Sequence, residues 1–175
     1  MIWIINWIAP EPDLLSIFVY HFKYLFKIFI QLRFMYIYIH NRRVTYAETD
    51  RMGYLYYGKY AEYYESARVE ALRALGIRYR DLEDAQIILP VRQMKCRFLR
   101  PAQYDELIQV ITKIPHLPYM TILFNYELRN EKGEILNVGT TELVFYDNQR
   151  KRPISAPDTI IERLKPYFFP PEKTN

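Results

Sequence analysis

One stretch of helical spacing, set among runs of two-residue alternation, constrains this chain most. Positions 60, 64, 67, 71 and 74 carry Tyr60, Tyr64, Ala67, Ala71 and Ala74. Steps of three and four residues put these side chains on one stripe of an α-helix. Glu62, Ser66, Glu70 and Arg73 fall between them and give the helix a polar side. Gly76 follows the last periodic residue, where a left-handed glycine commonly ends a helix. A helix is therefore expected over 57–75. Its alanines leave room for a sheet to approach closely.

Alternation governs the rest. Residues 36–46 are rich in Tyr, Ile and Val and read as a strand. After the helix, Met94, Cys96 and Phe98 alternate with Gln93, Lys95 and Arg97 across 91–100. A strand over 104–113 follows Pro101. Across 119–129, Met120, Ile122, Phe124, Tyr126 and Leu128 alternate with Thr121, Asn125, Glu127 and Arg129. Asn130-Glu131-Lys132-Gly133 reads as a hairpin turn with its glycine in the left-handed position. The last strand, 134–146, returns through Ile135, Asn137, Gly139, Thr141, Leu143 and Phe145. Pro153 and Pro157 end the sheet, and 158–167 reads as a short closing helix. Strand, long helix and antiparallel meander together make an α+β layer, one helix on five strands. One helix covers only one face of such a sheet, so pairing with a second copy is expected, at least as a symmetric dimer.

Composition narrows the function. Half of the 175 residues are hydrophobic and a quarter are charged, which suits one packed domain. Seventeen tyrosines and ten phenylalanines supply either an aromatic core and dimer surface or an apolar pocket with hydroxyl tips. The net charge of +4 is scattered, with no Lys/Arg tract. That argues against a nucleic-acid partner and suits a small anionic ligand. Cys96 is the only cysteine, so neither an internal disulfide nor a cysteine metal site can form. His21, His40 and His116 lack metal-ligand spacing, and no nucleotide-binding or serine-hydrolase motif is present. No metal and no cofactor is expected.

Residues 1–34 differ from the remainder. They are apolar but interrupted by His21, Lys23, Lys27, Gln31 and Arg33, without the run of 18 uncharged apolar residues that a membrane span needs. A signal peptide's small-residue cleavage site is also missing. Lys23, Lys27 and Gln31 recur every four residues, as in a cationic helix lying on a membrane surface. The alternative is that this extension is no part of the native protein, which then starts at Met35. The domain is expected over 35–167, with a tail at 168–175 and a cytoplasmic location.

The chemistry points to the loop between the first strand and the helix. Asp50 lies in Thr49-Asp50-Arg51-Met52-Gly53, close in sequence to the helix start. The first N–H groups of a helix have no intrahelical partner and carry partial positive charge. A carboxylate beside such donors suits attack on a thioester carbonyl. The duller reading is that Asp50 stabilises a turn through its own backbone.

Asp50-x-x-Gly53, Tyr57, Tyr60 and Tyr64-Glu65-x-Ala67-Arg68 resemble the signature of the 4-hydroxybenzoyl-CoA thioesterase family. Phe98-Leu99-Arg100-Pro101-Ala102, Tyr104-Asp105-Glu106-Leu107 and Thr140-Thr141-Glu142-Leu143-Val144 extend the resemblance over about 36–160. It is nearest to the short bacterial acyl-CoA thioesterases of the Tol-Pal-associated type. The resemblance implies a hotdog fold, a five-stranded antiparallel sheet wrapped around one long helix. It also implies homodimers, often paired into homotetramers, with sites at the dimer interface, and metal-free hydrolysis of acyl-CoA to a free acid and CoA.

On this resemblance Asp50 is the catalytic carboxylate, as nucleophile or as general base. Tyr57 supplies a backbone amide to an oxyanion hole, with Gly58 N–H beside it. Many relatives carry histidine at the position of Tyr57. Gly53 and Gly58 either let backbone and ligand approach closely or serve plain turns. Glu65 is either an acid near the substrate or a surface charge, and Glu62 is a weaker version of the same idea. Thr121 either lines the acyl pocket or is an ordinary strand residue. Arg68 is expected to pair with a carboxylate. Arg92, Lys95, Arg97 and Arg100 either meet CoA phosphates or form a solvated sheet face. Three other functions compete: a thioesterase acting on acyl carrier protein, a non-catalytic acyl-binding or assembly module, and a hotdog dehydratase. The last is weakest, because His40 and His116 sit in no fitting context.

Overall fold

The computed structural model describes residues 34–169. The expected membrane-surface extension lies outside the described residues except for Phe34, as does most of the expected tail. In chain order the elements are β1 (Tyr36–Arg43), α1 (Tyr60–Ala74), α2 (Tyr79–Asp84), β2 (Ile87–Ile88), β3 (Val91–Phe98), β4 (Leu107–Ile114), β5 (Thr121–Arg129), β6 (Ile135–Val144), β7 (Tyr146–Asp147), β8 (Arg152–Pro153) and α3 (Asp158–Phe168). Five strands form one antiparallel sheet in the order β1-β4-β5-β6-β3. The chain leaves β1 at one edge and resumes as β3 at the other, and α1 lies between the two in sequence. This is the hotdog arrangement, α+β, with the sheet around one long helix.

Helix α1 buries two rows of side chains rather than the single stripe expected. Tyr60, Tyr64, Arg68 and Leu72 form one row and Tyr63, Ala67, Ala71 and Leu75 the other, all buried. Both rows step by four residues, the ridge that helices most often present for packing. A step of four drifts around the helix, so Leu72 and Leu75 have moved inward by the last turn and Ala74 is exposed. Gly76 ends the helix as expected, at φ +76°. Its N–H donates to Arg73 O at 2.8 Å, and Ile77 N–H donates to Leu72 O at 3.0 Å.

The inner faces of β4, β5 and β6 meet α1 through Ile108, Val110, Ile114, Ile122, Phe124, Tyr126, Leu128 and Leu143, all buried. Each fully buried large apolar side chain stabilises by about 1.5–3 kcal/mol. The hairpin after β5 closes at Gly133, φ +77°. Helix α3 closes the structure as expected, burying Ile160 and Leu164, and Tyr167 packs edge-on against Tyr36 at 4.8 Å.

Strand β3 departs from its sequence pattern. Its Met94-Cys96-Phe98 face is only partly covered by the chain: Cys96 packs against the core, but Met94 is 41% and Phe98 52% exposed. As the last strand of the sheet, β3 has among the described residues a partner on one side only, β6. The short α2 and the small β2-β7-β8 sheet escaped sequence reading because elements of two to six residues carry too little periodicity.

Candidate active site

The loop between β1 and α1 is built on a buried carboxylate. Glu48 ends a 3-10 turn, Tyr46–Glu48. Its Oε2 accepts from Thr45 N–H at 2.8 Å, from the Thr45 hydroxyl at 2.9 Å and from the Tyr63 hydroxyl at 3.2 Å. Its Oε1 pairs with Arg42 Nη2 at 2.5 Å. The Arg42 guanidinium in turn lies 4.2 Å from the centre of the Tyr63 ring. Burial pushes the Glu48 carboxyl up, but the Thr45 amide and hydroxyl and the Arg42 charge together hold it below the usual carboxylate range. This carboxylate therefore stays ionised at neutral pH. The stabilisation it gives is present above its ordinary titration range and is lost as pH falls through its lowered value.

Two residues on, Asp50 is half-buried. Its Oδ1 accepts from Met52 N–H at 2.9 Å and from Tyr54 N–H at 3.3 Å. Its own N–H donates to Tyr54 O at 2.9 Å, and Gly53 N–H donates to Asp50 O at 3.0 Å. The turn needs Gly53, which sits at φ +77°. The turn-stabilising role is thus real for Oδ1. Among the described residues no protein donor is within hydrogen-bond distance of Oδ2. One oxygen is engaged by the turn and the other is not.

The loop returns to α1 through Leu55 and Tyr56. Leu55 N–H donates to Ala102 O at 2.8 Å and Tyr56 N–H donates to Glu48 O at 2.9 Å. A second 3-10 turn, Tyr57–Lys59, then leads into α1. Lys59 N–H donates to Tyr56 O and Tyr60 N–H to Tyr57 O. The amides of Tyr57 and Gly58 have no acceptor among the described residues, as expected at a helix start. The Tyr56 ring lies over Gly58: a Cβ there would come within 2.6 Å of Cε1. Gly58 therefore admits a close ring rather than forming a left-handed turn.

Asp50 and Tyr57 line one groove of about 340 Å³ with Met52, Tyr54, Tyr60 and Phe98. Leu55, Leu99, Arg100 and Pro101 complete it. Its wall is mainly apolar and aromatic, with the Asp50 carboxylate, the helix mouth and Arg100 as polar features. Tyr60 is buried, which pushes its hydroxyl up to about 12 and keeps it neutral. Arg100 is already paired with Glu134 at 2.7 Å.

The sequence pattern of the thioesterase-like superfamily matches residues 44–164, more than two thirds of the chain. The chain belongs to the thioesterase-like superfamily. Within this superfamily it is similar to the acyl-CoA thioester hydrolase YbgC of Escherichia coli, 28% identical over 70% of this chain and 92% of that one. The acyl-CoA thioesterase YbgC of Haemophilus influenzae is 30% identical over 67% of this chain and 87% of that one. Among solved structures, the DHNA-CoA thioesterase from Staphylococcus aureus superimposes with a TM-score of 0.65 at 32% identity, covering 77% of this chain and 84% of that one.

Of the residues singled out in this superfamily member's sequence, Asp50, Gly53, Tyr57 and Gly58 come together at the loop and helix mouth. Glu65 and Thr121 do not. Glu65 points outward from α1, 65% exposed at its side chain, and meets Arg68 at 3.8 Å. Thr121 opens β5 opposite Val144, and neither residue lines the groove of one chain. Arg68 has the expected acidic neighbour but is buried, and among the described residues its Nε has no acceptor. Of the four cations considered for phosphates, only Arg100 reaches the groove. Sequence reading missed the Arg42-Glu48-Tyr63 cluster, although the Thr45-x-x-Glu48 spacing of a capping box could have drawn attention to it.

Proposed function

We propose that this protein hydrolyses acyl-CoA thioesters to the free acid and coenzyme A, with Asp50 as its catalytic carboxylate. A superfamily of thioesterases supplies the reaction class, and the enzyme is a thioester hydrolase. The observation that carries the finer reading is the meeting of Asp50 and the unpaired Tyr57 and Gly58 amides at one aromatic groove. The thioester carbonyl oxygen lies against those amides, which gain strength as it becomes an oxyanion. Asp50 Oδ2 either removes a proton from the attacking water or adds to the carbonyl carbon, giving an anhydride that water then opens. In both routes the C–S bond breaks and the sulfur leaves as coenzyme A thiol. The likeness to the YbgC proteins supports a reading within the short bacterial branch of the 4-hydroxybenzoyl-CoA type. A coenzyme A substrate sets its work in the cytoplasm, and residues 35–167 form the working domain.

The reading includes a homodimer, the unit from which a tetramer is built. An edge strand with one free side is a template for another strand. Strand β3 is such an edge, and Val91, Met94 and Phe98 on it are exposed. Phe98 also walls the Asp50 groove, so a partner strand along β3 covers the groove. Glu65 and Thr121 enter the acyl pocket only as residues of that second copy. Met94→Lys places a charge in this seam and is expected to convert a dimer into a monomer in sedimentation, with hydrolysis falling alongside. A monomeric wild type that turns over substrate refutes the dimer.

A panel of alkanoyl- and aroyl-CoA thioesters with free-thiol detection tests the activity. Turnover of at least one class is expected. Hydrolysis of acyl carrier protein thioesters alone would move the substrate to that carrier, and no release from either would leave an acyl-binding module.

A further inference from the structure

We propose that Glu48 is a positioning residue, clamping the Asp50 carboxylate and the Tyr57 and Gly58 amides at a fixed separation. This rests on the reading of Asp50 as catalytic. The two halves of the site lie on the two arms of one loop, and Glu48 sits at its neck. On one arm Asp50 follows two residues later. On the other, Tyr56 precedes Tyr57, and its N–H donates to the Glu48 main-chain oxygen at 2.9 Å. The Thr49–Leu55 bridge and the Asp50–Tyr54 bond continue the same ladder inward.

The neck is held by the Glu48 side chain. Its two oxygens take the Thr45 amide and hydroxyl, the Tyr63 hydroxyl and the Arg42 guanidinium. Those partners come from β1, from the turn and from the first turn of α1. The loop is therefore tied to both the sheet and the helix it joins. Arg42 is also fixed, stacked on Tyr63 and 3.4 Å from the Ser66 hydroxyl. A buried carboxylate with every oxygen engaged resists displacement, because any shift leaves charge unpaired away from water. Backbone bonds join Glu48 to Tyr56 and Asp50 to Tyr54, and both hang from the neck that the Glu48 side chain holds. The added cluster fixes where the loop sits relative to α1, and so relative to the amides at its start.

Glu48→Gln keeps the shape and one acceptor oxygen and removes the charge. A misplacement of about 1 Å at a reacting centre costs on the order of 10²-fold in rate. The expected result is a kcat for acyl-CoA hydrolysis lowered about 10- to 100-fold with KM nearly unchanged, together with faster amide hydrogen exchange at Tyr54 and Tyr56 in a still-folded protein. A role confined to stability lowers the melting temperature and leaves kcat per folded molecule unaltered, and that outcome overturns the proposal. Tyr63→Phe, which removes one bond to Oε2, is the milder second variant should Glu48→Gln not fold. It is expected to lower kcat by a smaller factor, again without a change in KM, and an unchanged kcat also overturns the proposal. If the wild type releases no thiol from any thioester, the catalytic reading fails by itself. The exchange data then decide the clamp: protection at Tyr54 and Tyr56 retained in Glu48→Gln refutes it, and protection lost sustains it.

Discussion

Asp50→Asn is expected to leave the loop closed and to abolish most of the hydrolysis. The side-chain oxygen of asparagine still accepts from the Met52 and Tyr54 amides, which Asp50 Oδ1 holds at 2.9 and 3.3 Å. The turn and its left-handed Gly53 therefore persist, and the melting temperature stays close to that of the wild type. The other oxygen becomes an NH₂ group, which neither accepts a proton from water nor attacks a carbonyl. Removing a general acid or base costs about 10²–10⁴-fold, so kcat is expected to fall by about 10³-fold in a free-thiol assay. Asp50→Ala separates the two roles of the residue. It removes the turn bonds as well, at about 1 kcal/mol for each net hydrogen bond lost. Alanine should thus lower both kcat and thermal stability, and asparagine kcat alone. An asparagine variant with wild-type turnover would reduce Asp50 to a turn residue and leave the groove without a catalytic carboxylate.

The contrast between Oδ1 and Oδ2 also shows what the sequence can and cannot convey. The five long strands, α1 and the Gly76 and Gly133 stops are legible because periodicity and glycine conformation are local properties. The proximity of Asp50 to Tyr57 is legible for the same reason: seven residues and one glycine turn separate them. The walls of the groove are not local. Phe98 reaches Asp50 only because β3 ends beside the start of α1, where Phe98 meets Tyr60 edge-on at 5.0 Å. Alternation put Phe98 on an apolar face, and its exposure follows from strand order, which periodicity does not encode. Tyr63 was missed differently. It shares a row with Ala67 and Ala71, but an apolar stripe begun from Tyr60 and Tyr64 leaves it out. Glu48 is the clearest case. A buried glutamate is improbable until its partners are known, and those partners come from β1, the turn and α1.

Gly139 leads to the largest expected loss of stability. A glycine inside a strand marks a bulge or a close approach, and here it is an approach by Tyr64. The Tyr64 ring stacks on Tyr126 at 4.3 Å and 7°. Its hydroxyl donates to Asn137 Oδ1, and Asn137 Nδ2 donates to Arg97 O at 3.0 Å. A Cβ on Gly139 would fall 2.6 Å from Tyr64 Cζ, closer still to the hydroxyl, and 2.7 Å from Lys95 O. The ring cannot retreat without leaving Tyr126, and the carbonyl cannot move without opening the β3–β6 ladder. Overpacking of this kind costs about 1–3 kcal/mol, and breaking the buried hydroxyl–amide bond adds about 1–3 kcal/mol. Gly139→Ala is therefore expected to lower the melting temperature by roughly 4–24 °C, using about 2–4 °C per kcal/mol at this chain length. Tyr64→Phe removes the atom nearest the clash, so the double variant should recover part of the loss, a coupling that independent sites do not show. The strain also has a functional reading. It pushes on β3 beside Lys95, and β3 carries Phe98 into the groove, so KM should rise in Gly139→Ala at temperatures where the protein remains folded. A melting temperature within about 2 °C of wild type, less than 1 kcal/mol at this size, would mean that Tyr64 has another place to go.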